Sequence, residues 1–405
     1  MRWLMGGQVL DVVAGTVARA DVAIGDDGRI AHVGVGGRRS ADDDVVDVSG
    51  HWLLPGLIDC HVHLTQPTDA GDPAAAARRS DAEVALFTAD AARRTLLAGI
   101  TTVRDVGGWN YVEMAVRDAI RAGRAQGPRM FLAGRLLSIT TSTVDYYPGM
   151  YEVADGADQV RAAARRQLAQ GADLIKVMAT GAMLSSETED SRAIQFTLDE
   201  LRAAVEIARD NHKPVAAHCH GLRGIEHAVE AGVDSIEHGT FADEAVLRRM
   251  AEVGTVLVPT LCAGELLFRD AEVLASMPEH LRTRMVESND LHVATLRRAH
   301  ELGVTMAMGT DAGTPGNHHG LNAWEVALQV EHVGMSPLDS IRTATTNAAR
   351  LLRRGDELGS VEVGRRADVI ATAEHPLDDI ESLTRVQLVV LDGNVVRDDR
   401  VVGAP

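Results

Sequence analysis

Eight short apolar runs, at residues 57–63, 100–105, 129–134, 174–180, 214–220, 235–239, 256–261 and 305–311, punctuate the middle of this chain. Helical stretches separate most of them, for example 198–211 and 221–231. Apolar strands alternating with amphipathic helices signal βα units and a parallel sheet. Eight such units predict an α/β fold, a (β/α)8 TIM barrel with its helices outside. The flanks read differently. Residues 9–13, 22–24 and 30–35 are β-rich, and Gly25-Asp26-Asp27-Gly28 reads as a hairpin turn. Short β returns after Asp356, at 359–361, 367–372 and 386–391, with Gly393-Asn394 beside a turn. We expect segments 1–52 and 356–405 to pair into one small β-sandwich module, leaving 53–355 as the barrel.

Composition sets the outer limits. A chain of 405 residues is long enough for a barrel and a module. Its 45% apolar and 24% charged content is ordinary for a globular protein. A net charge of −18 argues against non-specific nucleic-acid binding. No apolar run reaches the length of a membrane span. The first residues, Met1-Arg2-Trp3-Leu4-Met5-Gly6-Gly7, lack a signal-peptide core and cleavage site. The expectation is a cytoplasmic protein with neither nucleic acid nor membrane as a partner. Cys60, Cys219 and Cys262 make no disulfide framework. They read as buried apolar thiols, the first two turned away from the histidines beside them.

The strand ends carry the chemistry. His61 and His63 are spaced i, i+2, so they share one face of a strand. Two imidazoles on one face can hold a divalent metal. Active-site groups of such barrels sit at the C-terminal ends of the strands. Lys176 stands at the fourth end, His218 and His220 at the fifth, His238 at the sixth and Asp311 at the eighth. These residues could hold two metal ions about 3.5 Å apart. A lysine among cations fits when its neutral amine has taken up carbon dioxide, because the carbamate is an anionic oxygen ligand able to bridge two metals.

The segments Pro55-Gly56-Leu57-Ile58-Asp59-Cys60-His61-Val62-His63, Ile175-Lys176-Val177-Met178, Ala217-His218-Cys219-His220-Gly221, Ser235-Ile236-Glu237-His238-Gly239 and Gly309-Thr310-Asp311-Ala312 resemble the amidohydrolase superfamily. They are most similar to its prolidase-like branch of Xaa-Pro dipeptidases and carboxypeptidases. The tail, Ala344-Thr345-Thr346-Asn347-Ala348-Ala349-Arg350 and then Gly364-Arg365-Arg366-Ala367-Asp368, extends the likeness to nearly the whole chain. The resemblance implies that His61, His63 and Asp311 bind the more buried metal and that His218 and His238 bind the more exposed one. Carboxylated Lys176 and a hydroxide would bridge them, and Zn2+ is the expected ion. The spacing of 20 from His218 to His238 matches the family interval, so His218 is the implied ligand and His220 the implied substrate contact. Asp311 would take the proton of the attacking hydroxide and pass it to the leaving nitrogen.

Two segments depart from that pattern. Prolidase-like relatives carry Thr-Gly-Gly-His after the third strand, where this chain reads Ser138-Ile139-Thr140-Thr141-Ser142-Thr143-Val144-Asp145. After the fourth strand it reads Gly181-Ala182-Met183-Leu184 in place of a glycine pair. Three of the four tyrosines, Tyr146, Tyr147 and Tyr151, crowd the first of these segments. They are candidates for an aromatic wall over the metals, with Trp109 beside them. His319 is a further candidate for substrate contact, while Asp105 reads as structural. His51, His212, His227, His292, His300, His332 and His375 are assigned nothing.

The expected activity is hydrolysis of a small amide, such as an N-acyl amino acid, a dipeptide or a related carboxamide. The alternatives are other reactions of the superfamily: cyclic amide or imide opening, heterocycle deamination, and carbamate, urea or ester hydrolysis. A non-catalytic scaffold is the remaining class, and retention of all six ligand positions argues against it. The partner is a small-molecule substrate, and relatives' habits suggest a homo-oligomer.

Overall fold

Alternation along the strands sorts the residues of the barrel into an inner and an outer layer. In chain order the strands are β1 (Arg2–Asp11), β2 (Thr16–Ile24), β3 (Ile30–Gly34), β4 (Asp44–Asp47), β5 (Trp52–Pro55), β6 (Leu57–Val62), β7 (Ile100–Asp105), β8 (Arg129–Leu132) and β9 (Leu136–Ser138). They continue with β10 (Tyr151–Val153), β11 (Ile175–Met178), β12 (Val215–Cys219), β13 (Ser235–His238), β14 (Val256–Val258), β15 (Val369–Thr372), β16 (Leu388–Leu391) and β17 (Asn394–Asp398). The computed structural model describes residues 1–66, 79–147 and 149–400, with the side chain of Tyr146 outside that description.

The barrel wall runs β6-β7-β8 and then β9-β11-β12-β13-β14, all parallel. Asp173 N–H donates to Leu132 O at 2.7 Å and joins the two groups. The third wall strand is broken into β8 and β9 at Gly134, whose φ of 73° suits glycine and whose missing Cβ leaves room for Gln167. Residues 305–312 close the ring as the eighth strand. Ala307 N–H donates to Leu257 O, and Cys60 N–H donates to Met308 O. Single bridges, Leu257 to Met306 and Val62 to Ala312, mark the same closure. The expected barrel is present.

Ile175, Val177, Ala217, Cys219 and Ile236 face outward into the main apolar cluster, against the surrounding helices. Each such side chain contributes roughly 1.5–3 kcal/mol by leaving water. Lys176, His218 and Glu237 alternate with them and are left on the inner side. The helix Leu198–Asp210 shows how the outer layer is set. Thr197 and Glu200 form a reciprocal capping box at its start. Leu201, Ala204, Val205 and Ala208 then recur on one face and are buried. All three cysteines are buried free thiols.

The flanking module is one eight-stranded sheet, ordered β17-β16-β15-β5-β1-β2-β3, with β4 also on β1. The register of β1 shifts between Leu4 and Gly7; its first half pairs with β4 and its second with β5. Val22, Ile24 and Ile30 from one end of the sheet share a core with Val369, Leu388 and Val390 from the other. The sandwich is therefore a single sheet folded over on itself. Gly56 makes the step into the barrel, where any Cβ would strike the Thr101 side chain. Among the described residues no helix is long and apolar enough to cross a membrane.

Candidate metal centre and active site

The inner layer brings His61, His63, Lys176, His218, His220, His238 and Asp311 to the floor of one cavity of about 470 Å3. The donor atoms of His61, His238 and Asp311 lie within 4.8 Å of one another, as do those of His218, His220 and His238. Two of these residues reach the cavity by leaving regular strand geometry. His238 has φ 68° and Asp311 φ 59°, so each side chain turns into the mouth against the alternation of its strand. Thr260, at φ 57°, meets His238 Nδ1 through its hydroxyl at 2.7 Å.

Hydrogen bonds to carbonyls fix which nitrogen of His63 and of His218 is bare. His63 Nδ1 lies 2.9 Å from Gly107 O, which can only accept, so Nδ1 carries the hydrogen. Burial lowers the pKa of His63 to about 4, leaving it neutral at neutral pH with a lone pair on Nε2. That lone pair faces Asp311 Oδ1 at 3.3 Å. Burial opposes ionisation of Asp311, but His61, His63 and Lys176 outweigh it and hold its pKa at about 2. A bare nitrogen and a carboxylate oxygen this close repel unless a cation lies between them. His61 Nε2 lies 3.4 Å from the same oxygen. Burial and Lys176 oppose protonation of His61; Asp311 and Glu237 prevail and raise its pKa.

The second group consists of imidazoles alone. His218 Nε2 faces Gly181 O at 3.2 Å and so carries its hydrogen, leaving Nδ1 bare toward His238 Nε2 at 3.0 Å. Burial lowers the pKa of His218, His220 and His238 well below the usual value, so all three are neutral. Lys176 is 1% exposed, and its Nζ has no hydrogen-bond partner among the described residues. Burial, aided by Arg104 and opposed by Glu237 and Asp311, lowers its pKa to about 8. A buried amine with no partner and a depressed pKa is the form that takes up carbon dioxide. The donor set therefore fits two divalent cations. His61, His63 and Asp311 could hold one, His218 and His238 the other, and a carboxylated Lys176 could serve both.

The candidate substrate residues divide. Tyr147, Tyr151 and Trp109 line the cavity, and Tyr147 donates its hydroxyl hydrogen to Leu184 O at 3.1 Å. His220 lines it as well, with Nδ1 2.8 Å from Thr240 Oγ1. The Tyr146 side chain lies outside the described residues. His319 is absent from the cavity lining; it sits against the Phe87 ring, with Nε2 3.3 Å from Gln66 O.

Sequence reasoning missed several partners. Glu237 accepts from His61 Nδ1 at 2.7 Å and from Arg104 Nη2 at 2.8 Å, wholly buried. Asp59 accepts the main-chain N–H of both His61 and Thr310 and the hydroxyl of Thr310, tying the first strand to the eighth. Glu189 joins the segment after β9 to the one after β11: it accepts from Thr141 and Thr143 on one oxygen and from Ala182 N and Gln195 on the other. His292 lines the cavity from a distant helix and donates through Nε2 to His238 O at 3.1 Å. Glu237 had a signal in its position one residue before His238; His292, on a helix more than 50 residues later, had none.

Known proteins resemble this chain in sequence and fold. Residues 52–396 match the model of the Amidohydrolase family. The ochratoxinase of Aspergillus niger is 34% identical over 357 residues, covering 81% of this chain and 72% of that protein. Its crystal structure covers 98% of this chain and 95% of its own, with a TM-score of 0.85. A Xaa-Pro dipeptidase crystallised with methionine in its active site is 36% identical, covers 98% and 99% of the two chains, and has a TM-score of 0.89. A prolidase complexed with N-methylphosphonate-L-proline is 30% identical, with the same coverage and TM-score.

Proposed function

Since the chain belongs to the amidohydrolase family, we propose that it is a binuclear metal-dependent hydrolase of small amides: N-acyl amino acids, dipeptides or related carboxamides. The observation that carries this reading is the bare His63 Nε2 facing the Asp311 carboxylate, with the neutral imidazoles of His218 and His238 and the unpartnered Lys176 amine buried beside them. His61, His63 and Asp311 would hold one metal, His218 and His238 the other, and carboxylated Lys176 both. Two divalent cations, most simply Zn2+, supply Lewis acidity there, acidifying water and polarising a carbonyl.

The remaining work falls to side chains. Asp311, with a pKa near 2, is ionised at neutral pH and able to accept a proton on a carboxylate oxygen. It takes one from the attacking water and returns it to the departing nitrogen. The C–N bond breaks, the water oxygen stays on the acyl carbon, and the products are a carboxylate and an amine. His220 is kept neutral by burial and is oriented by Thr240, which suits it to donate a hydrogen bond from Nε2 to substrate oxygen. Tyr147, Tyr151 and Trp109 shield the reacting atoms from water on the side of the second and third strands.

The relatives that act on Xaa-Pro dipeptides and the ochratoxinase direct attention to C–N bonds. A screen of N-acyl amino acids, dipeptides, lactams, ureas and esters, run with elemental analysis of the purified protein, tests the reading. We expect turnover of open-chain amides and about two metal ions per chain. Turnover confined to the non-amide substrates would overturn it.

A further inference from the structure

The helix Glu279–Glu301 crosses the mouth of the cavity and is tied down at both ends of its covering stretch. Near its start, Arg284 donates through Nη1 to Met183 O and Ser185 Oγ, both at 3.0 Å, and through Nη2 to Glu189 O at 2.8 Å. Farther along, His292 donates to His238 O and Thr295 Oγ1 to Thr240 O at 2.9 Å. The helix is thus fixed both to the segment after β11 and to the residues that follow β13. Along this stretch it turns Leu281 and Met285 toward the cavity, with Met277 just before it and Met183 opposite. These four, with Leu267, form one apolar cluster.

Two of the polar side chains on this side bond within the protein. Ser288 Oγ donates to Arg284 O, and Asn289 Nδ2 donates to Glu265. The Arg284 guanidinium is spent on carbonyls and on the Ser185 hydroxyl. The apolar part of the wall offers a ligand three thioethers and a leucine. Methionine adapts its shape, and its sulfur makes favourable contacts with aromatic rings. The cavity, at about 470 Å3, lies in the range of roughly 300–1,000 Å3 that encloses drug-sized molecules. An amide with two small arms would leave much of this wall in water.

We propose that Met183, Met277 and Met285 form the specificity-determining wall for a large aromatic arm of the amide. The proposal rests on the hydrolase reading above and names the substrate class for the same site. An amide with a planar ring system on one side of the carbonyl is the preferred substrate. The rigid attachment through Arg284 and His292 keeps the wall in register with the metal-ligand histidines.

Two readouts test it. The first is kcat/KM for N-acetyl-, N-cyclohexanecarbonyl- and N-(2-naphthoyl)-alanine, and for N-acetyl-2-naphthylalanine. One naphthyl compound should exceed the acetyl-alanine amide at least tenfold, with the gain mainly in KM. In the Met277→Ala/Met285→Ala double variant that ratio should fall below threefold. The second is calorimetric binding of 2-naphthylmethylphosphonate against methylphosphonate, which needs no turnover. The wild type should favour the naphthyl probe at least tenfold, and the double variant should lose the preference. Met183→Ser reads the same wall from the facing segment without altering the helix, and Met277→Leu/Met285→Leu, with its apolar face kept, should retain most of the preference. A ring preference that is absent, survives both alanine and serine changes, or is matched by cyclohexyl overturns the proposal. Intact discrimination between the phosphonates without hydrolysis of any amide strikes the hydrolase reading alone.

Discussion

Arg104 and Glu237 form an ion pair inside the closed barrel, with Nη2 and Oε1 2.8 Å apart and neither side chain more than 1% exposed. Arg104 also donates to Cys60 O and to Ser235 Oγ, so the pair spans β6, β7 and β13. The other oxygen of Glu237 receives the hydrogen of His61 Nδ1 and thereby presents His61 Nε2 to the cavity. Changing Glu237→Gln leaves the guanidinium buried without a counter-charge. We expect a loss of about 3–5 kcal/mol in stability, read as a lower urea midpoint. We also expect roughly 10–100-fold weaker metal retention, read by elemental analysis after dialysis against a chelator series.

Lys176 is the candidate bridge, and its removal should be felt by both metals. For Lys176→Met, which keeps the bulk of the apolar stem, we expect metal content to fall clearly below that of the wild type. The melting temperature without metal should stay equal or rise, because a buried amine with no hydrogen bond is replaced by an apolar group. Unchanged metal stoichiometry would count against the bridging role.

Asp311 has two expected roles, ligand and proton carrier. Asp311→Asn retains one oxygen donor but no longer accepts a proton. The change should lower kcat on the order of 100- to 10,000-fold. Comparing metal content with the single-turnover rate separates the two roles: an inactive variant that still holds metal isolates the proton transfer.

Glu113 should give the fold a pH dependence of its own. Both of its oxygens are buried without a partner among the described residues. Burial, reinforced by Asp105 and opposed by Arg117 and Arg135, pushes its pKa up to about 8 from 4.5. A folded-state pKa above the unfolded one means that the contribution is complete below about pH 4.5 and is lost as pH rises through 8. Glu113→Gln removes that titration. The urea midpoint of the variant should fall less between about pH 5 and about pH 9 than that of the wild type. Some slope should persist, because burial raises the pKa of Asp105 in the same sense, to about 7.

Glu189 holds the tyrosine-bearing segment against the residues after β11. In Glu189→Ala the contacts to Thr141, Thr143 and Ala182 are lost together. We expect KM to rise with a smaller change in kcat, since the metal ligands are untouched. Steady-state kinetics on one amide would check it; an unchanged KM would remove the segment from the substrate site.

What could be read from the sequence follows from regular geometry. His61, Lys176 and His218 sit within strands, and a period of two put them on the inner face. His238 and Asp311 have left-handed backbone, so alternation alone assigns them wrongly; their places at the ends of the sixth and eighth strands pointed to them, and the family resemblance gave them roles. The break of the third strand at Gly134 was hidden because a glycine in an apolar run has several meanings. Arg104, Glu237 and His292 act through partners far away in sequence, and a single charged or imidazole residue carries no mark of a distant neighbour. The fold of the flanking sheet over itself depends on the register shift in β1, which local pattern does not announce. His319 went the other way: its neighbours in sequence suggested the cavity, and the turn of its loop directed it elsewhere.

The flanking sheet has a consequence for the order in which the chain can be completed. Leu54 in β5 pairs with Ile370 in β15, and the entire barrel lies between them. During synthesis β5 can find β1 at once, yet its other edge stays open until the last strands emerge from the ribosome. An unpaired apolar edge recruits other chains. The folding barrel must outlast that interval, and release of a chain stopped short of Val369 should yield aggregates where the full chain yields soluble protein.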